Sequence, residues 1–249
     1  MRYFLSKACR TVAARLARHR TLCAFDFDGR LSPIVEYPDR ACMRPTTRKL
    51  LIRLAALYPC TIISGRERRD LLGKLGDVSV TRVIGNHGAE TAWASGTARR
   101  EVEQWKSFLQ PALTPLQGVW IEDKGMSLAV HYRQATQKAE SRRRIFAAAR
   151  SLGHARVFGG KQVVNLVVDE APNKGDAVVC ERDRLKCDWV LYVGDDDNDE
   201  DAFALDGNVV GVRIGIRRRS HASFYLHDQS EIDELLHLMI QLRTPATAA

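Results

Sequence analysis

Residues 21–29 read TLCAFDFDG, a short apolar run that ends in two aspartates and a glycine. A continuous apolar run of this length is typical of a strand that is buried on both faces of a parallel sheet. Asp26 then lies at the end of a buried strand, where an unpaired carboxylate is costly. Asp28 follows two residues later and can face the same side of an extended segment. The stretch therefore predicts an α/β fold with carboxylates at a strand end.

Predicted helices and strands alternate around this run. Strands are predicted over 60–63 and 80–84, and helices over 12–20, 46–57 and 67–75. Because strands that alternate with helices pair in parallel through right-handed crossovers, these elements predict one parallel sheet.

The same alternation returns in the last third of the chain. Strands are predicted over 189–193 and 208–214, and a helix over 174–184 with Asn173 as its N-cap. A last helix is predicted to begin with a capping box at residues 230–233.

A different pattern lies between these two blocks. The predicted helices cover 101–117 and 137–152, and the predicted hairpins pair 119–122 with 127–132 and 156–158 with 162–168, the second turning at Gly159 and Gly160. This order predicts a small α+β cap domain over 98–169, inserted into an α/β core formed by 1–97 and 170–249.

Composition narrows the class of protein and its partners. Apolar residues make up 45% of the chain and charged residues 27%, which is typical of a globular protein and not of a disordered one. No apolar run approaches the roughly 20 residues of a membrane span, so we expect no membrane partner. The excess of 38 basic over 30 acidic side chains favours an anionic partner. Because no aromatic-interleaved motif accompanies it, we expect a phosphorylated metabolite and no nucleic acid.

The cysteines and the N-terminal segment bear on location. None of the six cysteines is in CxxC spacing, so we predict reduced thiols in a cytoplasmic protein and no disulfide framework or zinc site. Residues 1–20 are basic and lack both acidic side chains and the apolar stretch of a secretory signal. An amphipathic helix and an organellar transit peptide both fit this segment.

Four polar clusters fall where parallel sheets bind ligands, beyond the carboxyl ends of strands. They are DFDG at 26–29, SGR at 64–66, NKG at 173–175 and GDDDND at 194–199. Asp26, Asp28 and Asp195 form an oxygen set that is suited to Mg²⁺. Ser64 and Lys174 stand at helix starts, where free N–H groups and an added positive charge favour an anion. Together these groups predict phosphoryl transfer through an aspartyl-phosphate.

Each group has a role in that chemistry. Asp26 attacks phosphorus in line, while Mg²⁺, Lys174 and Ser64 neutralise the charge on the transferred group. Asp28 protonates the leaving alkoxide and then activates the water that hydrolyses the acyl phosphate.

At these residues the chain resembles a known superfamily. FDFDG, IISGR, NKGDA and VGDDDNDEDAF are similar, in order, to the four motifs of the haloacid dehalogenase-like (HAD) phosphatases. LSPIVEYPDRA, IGNHGAE and IEDKGMSLAVHYR further resemble the trehalose-6-phosphate phosphatases, over roughly residues 21–215. The resemblance implies a Rossmann-like core with an inserted αββαββ cap, Mg²⁺ dependence, and release of trehalose and phosphate in trehalose biosynthesis.

The resemblance also implies a role for individual residues. It makes Asp26 the nucleophile and Asp28 the general acid and base. The implied metal ligands are Asp26, Asp28 and Asp195, and the implied phosphate ligands are Ser64, Gly65 and Lys174.

Four cap residues, Glu122, Lys124, His131 and Arg133, are implied to contact the sugar. Glu122 and Lys124 share one face of their predicted strand by period two, as do His131 and Arg133. This alternation fits a surface that faces the site, and it equally fits a solvent-exposed hairpin.

Three further polar residues are candidates to support the site. Asp196 and Asp199 are predicted to orient Lys174 or the waters of the metal. His87 lies in a glycine-rich turn, where it fits either a supporting role or a hydrogen bond to a backbone carbonyl.

Three positions depart from the family pattern. Arg30 replaces the usual Thr of the first motif and could point to solvent, add a phosphate contact, or crowd the site and slow turnover. Asn198 replaces a usual Thr in the last motif. Asn165 stands where Glu is common, an exchange that could weaken a contact to a sugar hydroxyl.

The leading interpretation is an Mg²⁺-dependent phosphatase that acts on trehalose 6-phosphate. One alternative is a phosphatase for sucrose phosphate or glucosylglycerol phosphate, and another is a sugar-phosphate-binding homologue impaired by Arg30. The basic charge alone would favour a nucleic-acid binder, but no reading motif accompanies it. The sequence predicts no oligomeric state and no pathway partner.

Overall fold

The computed structural model describes residues 1–35, 37–91 and 95–244. In these residues the chain forms a seven-stranded parallel sheet and a four-stranded antiparallel sheet. The strands are β1 (Arg2–Tyr3), β2 (Thr21–Phe25), β3 (Cys60–Ile63), β4 (Arg82–Ile84), β5 (Trp120–Asp123), β6 (Ser127–His131), β7 (Ala155–Gly160), β8 (Val163–Val168), β9 (Trp189–Gly194), β10 (Val209–Ile214) and β11 (Phe224–Leu226). The helices are α1 (Arg10–Arg18), α2 (Pro45–Ala55), α3 (Arg68–Leu75), α4 (Ser95–Leu113), α5 (Lys138–Arg150), α6 (Lys174–Arg184), α7 (Glu200–Phe203) and α8 (Ile232–Arg243).

The large sheet has the strand order β1-β11-β10-β9-β2-β3-β4, which places β2 between β9 and β3. Every residue of β2 is buried. Cys23 and Phe25 pack into one apolar cluster with α1, α2 and α8, and Leu22 and Ala24 pack into another with α6. Because successive side chains point to opposite faces, helices cover the sheet on both sides. The predicted parallel α/β core is confirmed.

The small sheet has the order β5-β6-β8-β7 and packs one face against two helices. Leu128 of β6 and Leu166 of β8 share an apolar cluster with Trp105 of α4 and Ile145 of α5. The opposite face carries polar side chains and turns toward the carboxyl edge of the large sheet. The predicted α+β cap is confirmed, since the inserted segment forms its own antiparallel sheet with two helices packed on it. The domain boundaries at 97/98 and 169/170 stay predictions.

The second hairpin of the cap turns later than predicted. Gly159 and Gly160 pair with Val164 and Val163, so both glycines belong to β7 and the prediction of a turn at this position is wrong. The turn instead follows at residues 161–162, where Gln162 has a positive φ of 63°. Lys161 consequently lies at the tip of the hairpin.

The start of the last helix also differs from the prediction. A short 3₁₀ turn over Gln229–Glu231 precedes α8, and the Asp228 carboxylate caps it by accepting from the Ser230 N–H at 2.8 Å. The capping box predicted at 230–233 is therefore wrong. Asp233 instead accepts a hydrogen bond from Thr47 Oγ1 at 2.6 Å, which joins α8 to α2. Short elements such as β1, β11 and α7 were not predicted.

Two further sequence expectations concern the environment of the chain. All six cysteines are free thiols. Among the described residues, none of the helices has the length and apolar character needed to cross a membrane. The cytoplasmic location stays a prediction.

Candidate active site

The strand order gathers the predicted site residues at one edge of the large sheet. Asp26, Ser64 and Asp195 directly follow the neighbouring strands β2, β3 and β9. Backbone pairing extends into this edge, because the Asp26 N–H donates to Val193 O at 3.1 Å and the Ser64 N–H donates to Ile84 O at 3.0 Å. Three distant sequence motifs therefore meet beyond the carboxyl ends of adjacent strands.

Lys174 reaches the same edge from the first residue of α6. The predicted N-cap is confirmed, since Asn173 accepts from the Asp176 N–H in a capping box. The Lys174 side chain is 1% exposed, and its ammonium donates to the carboxylates of Asp26 and Asp199, the latter at 2.7 Å. Burial alone would lower the pKa of Lys174, but Asp199 and Asp26 outweigh it and raise that pKa.

Asp199 is the most connected carboxylate of the edge and is fully buried. It accepts from Lys174 Nζ at 2.7 Å, from Tyr192 OH at 2.6 Å and from the N–H groups of Asp195 and Asp196 at 2.8 Å each. Burial would raise its pKa, but the charges of Arg30 and Lys174 hold that pKa well below the usual range. Asp199 thus contacts Lys174 directly, as its predicted orienting role requires.

Arg30 is 2% exposed and points into this group of carboxylates, so the alternative in which it faces solvent is wrong. Its guanidinium lies 3.0 Å from Asp26 Oδ2 and 2.5 Å from Asp195 Oδ1, and it also pairs with Asp199. Burial opposes its charge, but Asp199, Asp26 and Asp195 outweigh burial and raise the pKa of Arg30 well above its usual value. We call Asp26, Asp195 and Asp199 the carboxylate cluster.

The fit of Mg²⁺ to this edge depends on Arg30. The guanidinium contacts carboxylate oxygens of Asp26 and Asp195 and the backbone carbonyl of Asp28, which are hard oxygens of the kind that Mg²⁺ prefers. Within the described part of the chain, no group of three or more His, Cys, Asp or Glu side chains is arranged to hold a metal. With Arg30 in this place the residues do not fit Mg²⁺, and Mg²⁺ dependence stays a prediction.

The Asp28 carboxylate is held apart from this cluster by Arg66. Arg66 Nε and Nη2 donate to the two Asp28 oxygens at 2.7 and 2.8 Å, a bidentate pair. Arg66 also donates to Asp70 at 2.7 Å. The backbone carbonyl of Asp28, and not its carboxylate, contacts Arg30. Sequence reasoning gave Arg66 no role, although it belongs to the quoted SGR cluster.

Ser64 and Gly65 form a tight wall of the site. Ser64 is buried, and its Oγ accepts from the Arg66 N–H at 3.4 Å. A Cβ at Gly65 would lie 2.2 Å from His87 Cε1, so only glycine fits beside that ring. The Gly65 carbonyl accepts from Lys124 Nζ of the cap at 2.9 Å.

The His87 ring packs against Gly65 and is neutral. Burial, followed by the charges of Lys124 and Lys174, lowers the pKa of His87 well below its usual value. The Asn198 side-chain amide lies 2.6 Å from His87 Nδ1, and Phe158 meets the ring edge-on.

The small sheet presents its polar face to the site. Glu122 Oε2 lies 2.7 Å from His131 Nε2, and Trp120 stacks on His131 with ring centroids 4.0 Å apart. Burial would raise the pKa of Glu122, but His131 and Lys124 outweigh it and lower that pKa. We define the polar face as Trp120, Glu122, His131, Val163 and Asn165, which line the same cavity as Asp26.

Three basic side chains of the cap reach the core. Lys124 contacts Gly65 as described, Lys161 Nζ pairs with the Asp195 carboxylate, and Arg133 donates to the Val35 carbonyl. Sequence reasoning gave Lys161 no role, although it lies between the predicted strands 156–158 and 162–168.

One cavity collects almost all predicted site residues. Its lining includes Asp26, Asp28, Arg30, Ser64, Gly65, His87, Glu122, Lys124, His131, Arg133, Lys161, Asn165, Asp195, Asp196 and Asn198. Lys174 and Asp199 lie beneath this lining and contact it through Asp26 and the Asp195 backbone. The roles predicted for these residues stay predictions.

Comparison with known proteins gives two kinds of likeness. Residues 24–224 match the family model described as trehalose-phosphatase. A trehalose-phosphate phosphatase of Mycobacterium bovis is 34% identical over 243 residues, covering 88% of this chain and 61% of that protein. One from Mycolicibacterium paratuberculosis is 32% identical over 263 aligned positions, covering 98% of this chain and 64% of that protein. The chain thus spans about three fifths of the length of these relatives.

A solved structure agrees in fold. The C-terminal domain of a trehalose-6-phosphate phosphatase from C. albicans superposes with a TM-score of 0.79 at 22% identity. The match covers 93% of this chain and 96% of that domain. At this level of identity the likeness concerns the fold, including the core with its inserted cap.

Proposed function

Because this chain belongs to the trehalose-phosphatase family, we propose that it hydrolyses trehalose 6-phosphate to trehalose and inorganic phosphate. One observation carries the proposal. The Lys174 ammonium contacts the Asp26 carboxylate at a cavity whose lining also includes the polar face of the small sheet. Hydrolysis of a sugar phosphate requires a nucleophile, a cation beside it, and an opposing surface that binds the sugar.

The proposed reaction has two steps at Asp26. Its carboxylate forms a bond to phosphorus while the bond to the sugar oxygen breaks, and a protonated Asp28, released from its pair with Arg66, delivers its proton to the departing alkoxide. Asp28 then removes a proton from water, which attacks the aspartyl-phosphate and releases phosphate and free Asp26. Lys174 and the Ser64 hydroxyl bind phosphate oxygens and offset their charge.

The orientation of Asp26 favours this role. One carboxylate oxygen accepts from the Phe27 backbone N–H, and the other contacts Lys174 and Arg30. Contacts to both oxygens fix the plane of the carboxylate, which lowers the entropic part of the barrier to in-line attack.

A substrate panel tests the proposal directly. Phosphate release is measured from trehalose 6-phosphate, sucrose 6-phosphate and glucosylglycerol phosphate, each in Mg²⁺ and in EDTA. We expect kcat/KM for trehalose 6-phosphate to exceed that for the other two esters by at least about tenfold, since the polar face discriminates sugars by hydrogen bonding. Turnover confined to another ester would assign this site to that substrate.

A sugar-phosphate-binding protein without turnover is the second candidate. It is favoured by one observation, the direct contact of Arg30 with the predicted nucleophile. Calorimetric binding of trehalose 6-phosphate by a chain that releases no phosphate in either condition would establish it.

The cap residue Glu122 provides a test of sugar recognition. We expect Glu122→Gln to raise KM for trehalose 6-phosphate by roughly tenfold, because a neutral amide replaces the charged acceptor and its hydrogen bond with His131 is weaker, while kcat changes little. Steady-state kinetics measures both constants. Asp123→Asn is the matched control, since its carboxylate pairs with Lys106 at the surface. An unchanged KM in Glu122→Gln would remove Glu122 from the sugar site.

A further inference from the structure

The backbone of Arg30 lies in a tight turn over residues 27–32, which directly follows Asp26. Gly29 adopts a positive φ of 82°, and the Ser32 N–H donates to the Phe27 carbonyl at 3.0 Å across the turn. The Arg30 carbonyl in turn accepts from Gln229 Nε2 at 2.6 Å. The backbone of Arg30 is therefore fixed on both sides, and its side chain is directed into the interior.

The guanidinium fills the centre of the carboxylate cluster. Nη2 contacts Asp26 and Asp199, and Nη1 contacts Asp195 and the backbone carbonyl of Asp28. A planar guanidinium with its N–H donors in a fixed fork is well suited to bridge several carboxylates at once. Its side chain is 3% exposed, so these contacts form away from bulk water.

The same oxygens define the place at which the family resemblance puts a divalent cation. Carboxylate oxygens of Asp26 and Asp195 and the Asp28 carbonyl form a set of hard ligands, which Mg²⁺ would bind at about 2.0–2.1 Å. Arg30 nitrogens already contact all three. A metal ion and the guanidinium cannot occupy this position together, because their charges repel and their volumes overlap.

The charges around the cluster are already balanced. Three carboxylates, Asp26, Asp195 and Asp199, are paired with three cations, Arg30, Lys174 and Lys161. Adding Mg²⁺ would leave two positive charges unmatched within this set, and Asp196, which lines the same cavity, would offset only one of them, so the addition is unfavourable. A Thr at position 30 would instead leave one negative charge for a cation to neutralise.

We propose that the Arg30 guanidinium is a permanent internal cation that takes the place of the divalent metal, so that this chain binds phosphate esters without Mg²⁺. The proposal deepens the proposed function and rests on it for the class of ester that enters the cavity. The guanidinium offsets the charge of the carboxylate cluster as a phosphate dianion approaches Asp26. EDTA then leaves both binding and turnover of that ester unchanged.

Magnesium titration of three proteins tests this inference. Isothermal titration of MgCl₂ is carried out on the wild type, Arg30→Thr and Arg30→Lys, without substrate. We expect one bound Mg²⁺ in Arg30→Thr and none in the wild type or in Arg30→Lys, which keeps the positive charge. In 10 mM Mg²⁺ the Tm of Arg30→Thr is expected to rise by about 5 °C, with no rise in the other two.

Arg48→Thr is the matched control, since Arg48 pairs with Asp77 at the surface and its loss creates no cation site. Stoichiometric Mg²⁺ binding to the wild type with a Kd below about 1 mM would overturn the proposal. Failure of a folded Arg30→Thr to bind Mg²⁺ would also overturn it. If Arg30→Thr does not fold, two wild-type measurements decide. The titration is expected to show no Mg²⁺ binding, and the affinity for trehalose 6-phosphate is expected to be the same in EDTA and in Mg²⁺.

The titration separates this inference from the proposed function, because it involves no substrate. A wild type that releases no phosphate but shows the expected titration pattern refutes hydrolysis and supports the internal cation. A wild type that hydrolyses trehalose 6-phosphate only when Mg²⁺ is present and bound supports hydrolysis and refutes the internal cation.

Discussion

Asp26→Asn is expected to lower kcat for trehalose 6-phosphate by at least about a thousandfold, because an amide is a poor nucleophile and forms no acyl phosphate. The variant keeps the size of the side chain and its contact with the Phe27 N–H. Phosphate release under saturating substrate measures the effect, and circular dichroism verifies the fold. The loss should appear in kcat, since the polar face that we propose to contact the sugar is unchanged.

Asp77→Asn is the control for this substitution. Asp77 is an exposed aspartate that pairs with Arg48, and neither residue lines the cavity, so the Asp77→Asn protein should be as active as the wild type. An Asp26→Asn protein that retains a tenth of wild-type kcat would show that another group performs the attack. Trapping of a phosphorylated chain in the wild type, but not in Asp26→Asn, gives an independent measure of the same step.

The positions of these groups were predictable wherever backbone topology determines them. A continuous apolar run such as 21–25 can only be buried between two layers, and parallel strands align their carboxyl ends. Asp26, Ser64 and Asp195 each follow such a strand directly, so their convergence needed no knowledge of side-chain direction. Lys174 followed from its place at a helix start.

Side-chain direction within turns was not predictable from the pattern. Arg30 is buried because Gly29 has a positive φ and Gln229, nearly two hundred residues away, binds its carbonyl. Asp28 shares a segment with Asp26, but its carboxylate pairs with Arg66, and only its backbone carbonyl contacts Arg30. Period-two reasoning applies to extended strands, and residues 26–30 form a turn.

Register in the cap was predicted only in part. Alternation put Glu122 with Lys124 and His131 with Arg133, and all four residues line the cavity. The antiparallel pairing of β5 with β6, which alternation within one strand does not predict, brings Glu122 and His131 to one face. Two adjacent glycines suggested a turn, but their backbones remain paired within the sheet and the chain turns at 161–162. Strand pairing between β7 and β8 therefore outweighed the turn preference of the two glycines. Lys161 lies in the resulting turn and pairs with Asp195.

Asp199→Ala is expected to lower the free energy of unfolding by about 3–5 kcal/mol, the cost of removing one partner from a buried set of charges. The substitution leaves Lys174 and Arg30 with one carboxylate fewer, and it leaves Tyr192 OH and two backbone N–H groups without their acceptor. Urea unfolding measures the change. Asp197→Ala in the same turn is the control, with a loss below about 1 kcal/mol, because its pair with Arg217 is solvent-exposed.

The stability that the Asp199 carboxylate contributes depends on pH, and the direction of its pKa shift gives the sign of that dependence. Its pKa in the folded chain is held below the usual value, chiefly because Arg30 and Lys174 outweigh burial. The stability that this shift contributes is fully present above the unfolded pKa of about 3.9 and is lost as the pH falls toward the folded pKa. The difference in unfolding free energy between wild type and Asp199→Asn should therefore be constant from pH 5 to 7 and shrink progressively below pH 4. A difference that grew on acidification would mean that Asp199 is protonated in the folded chain, and that Lys174 and Arg30 are balanced by other carboxylates.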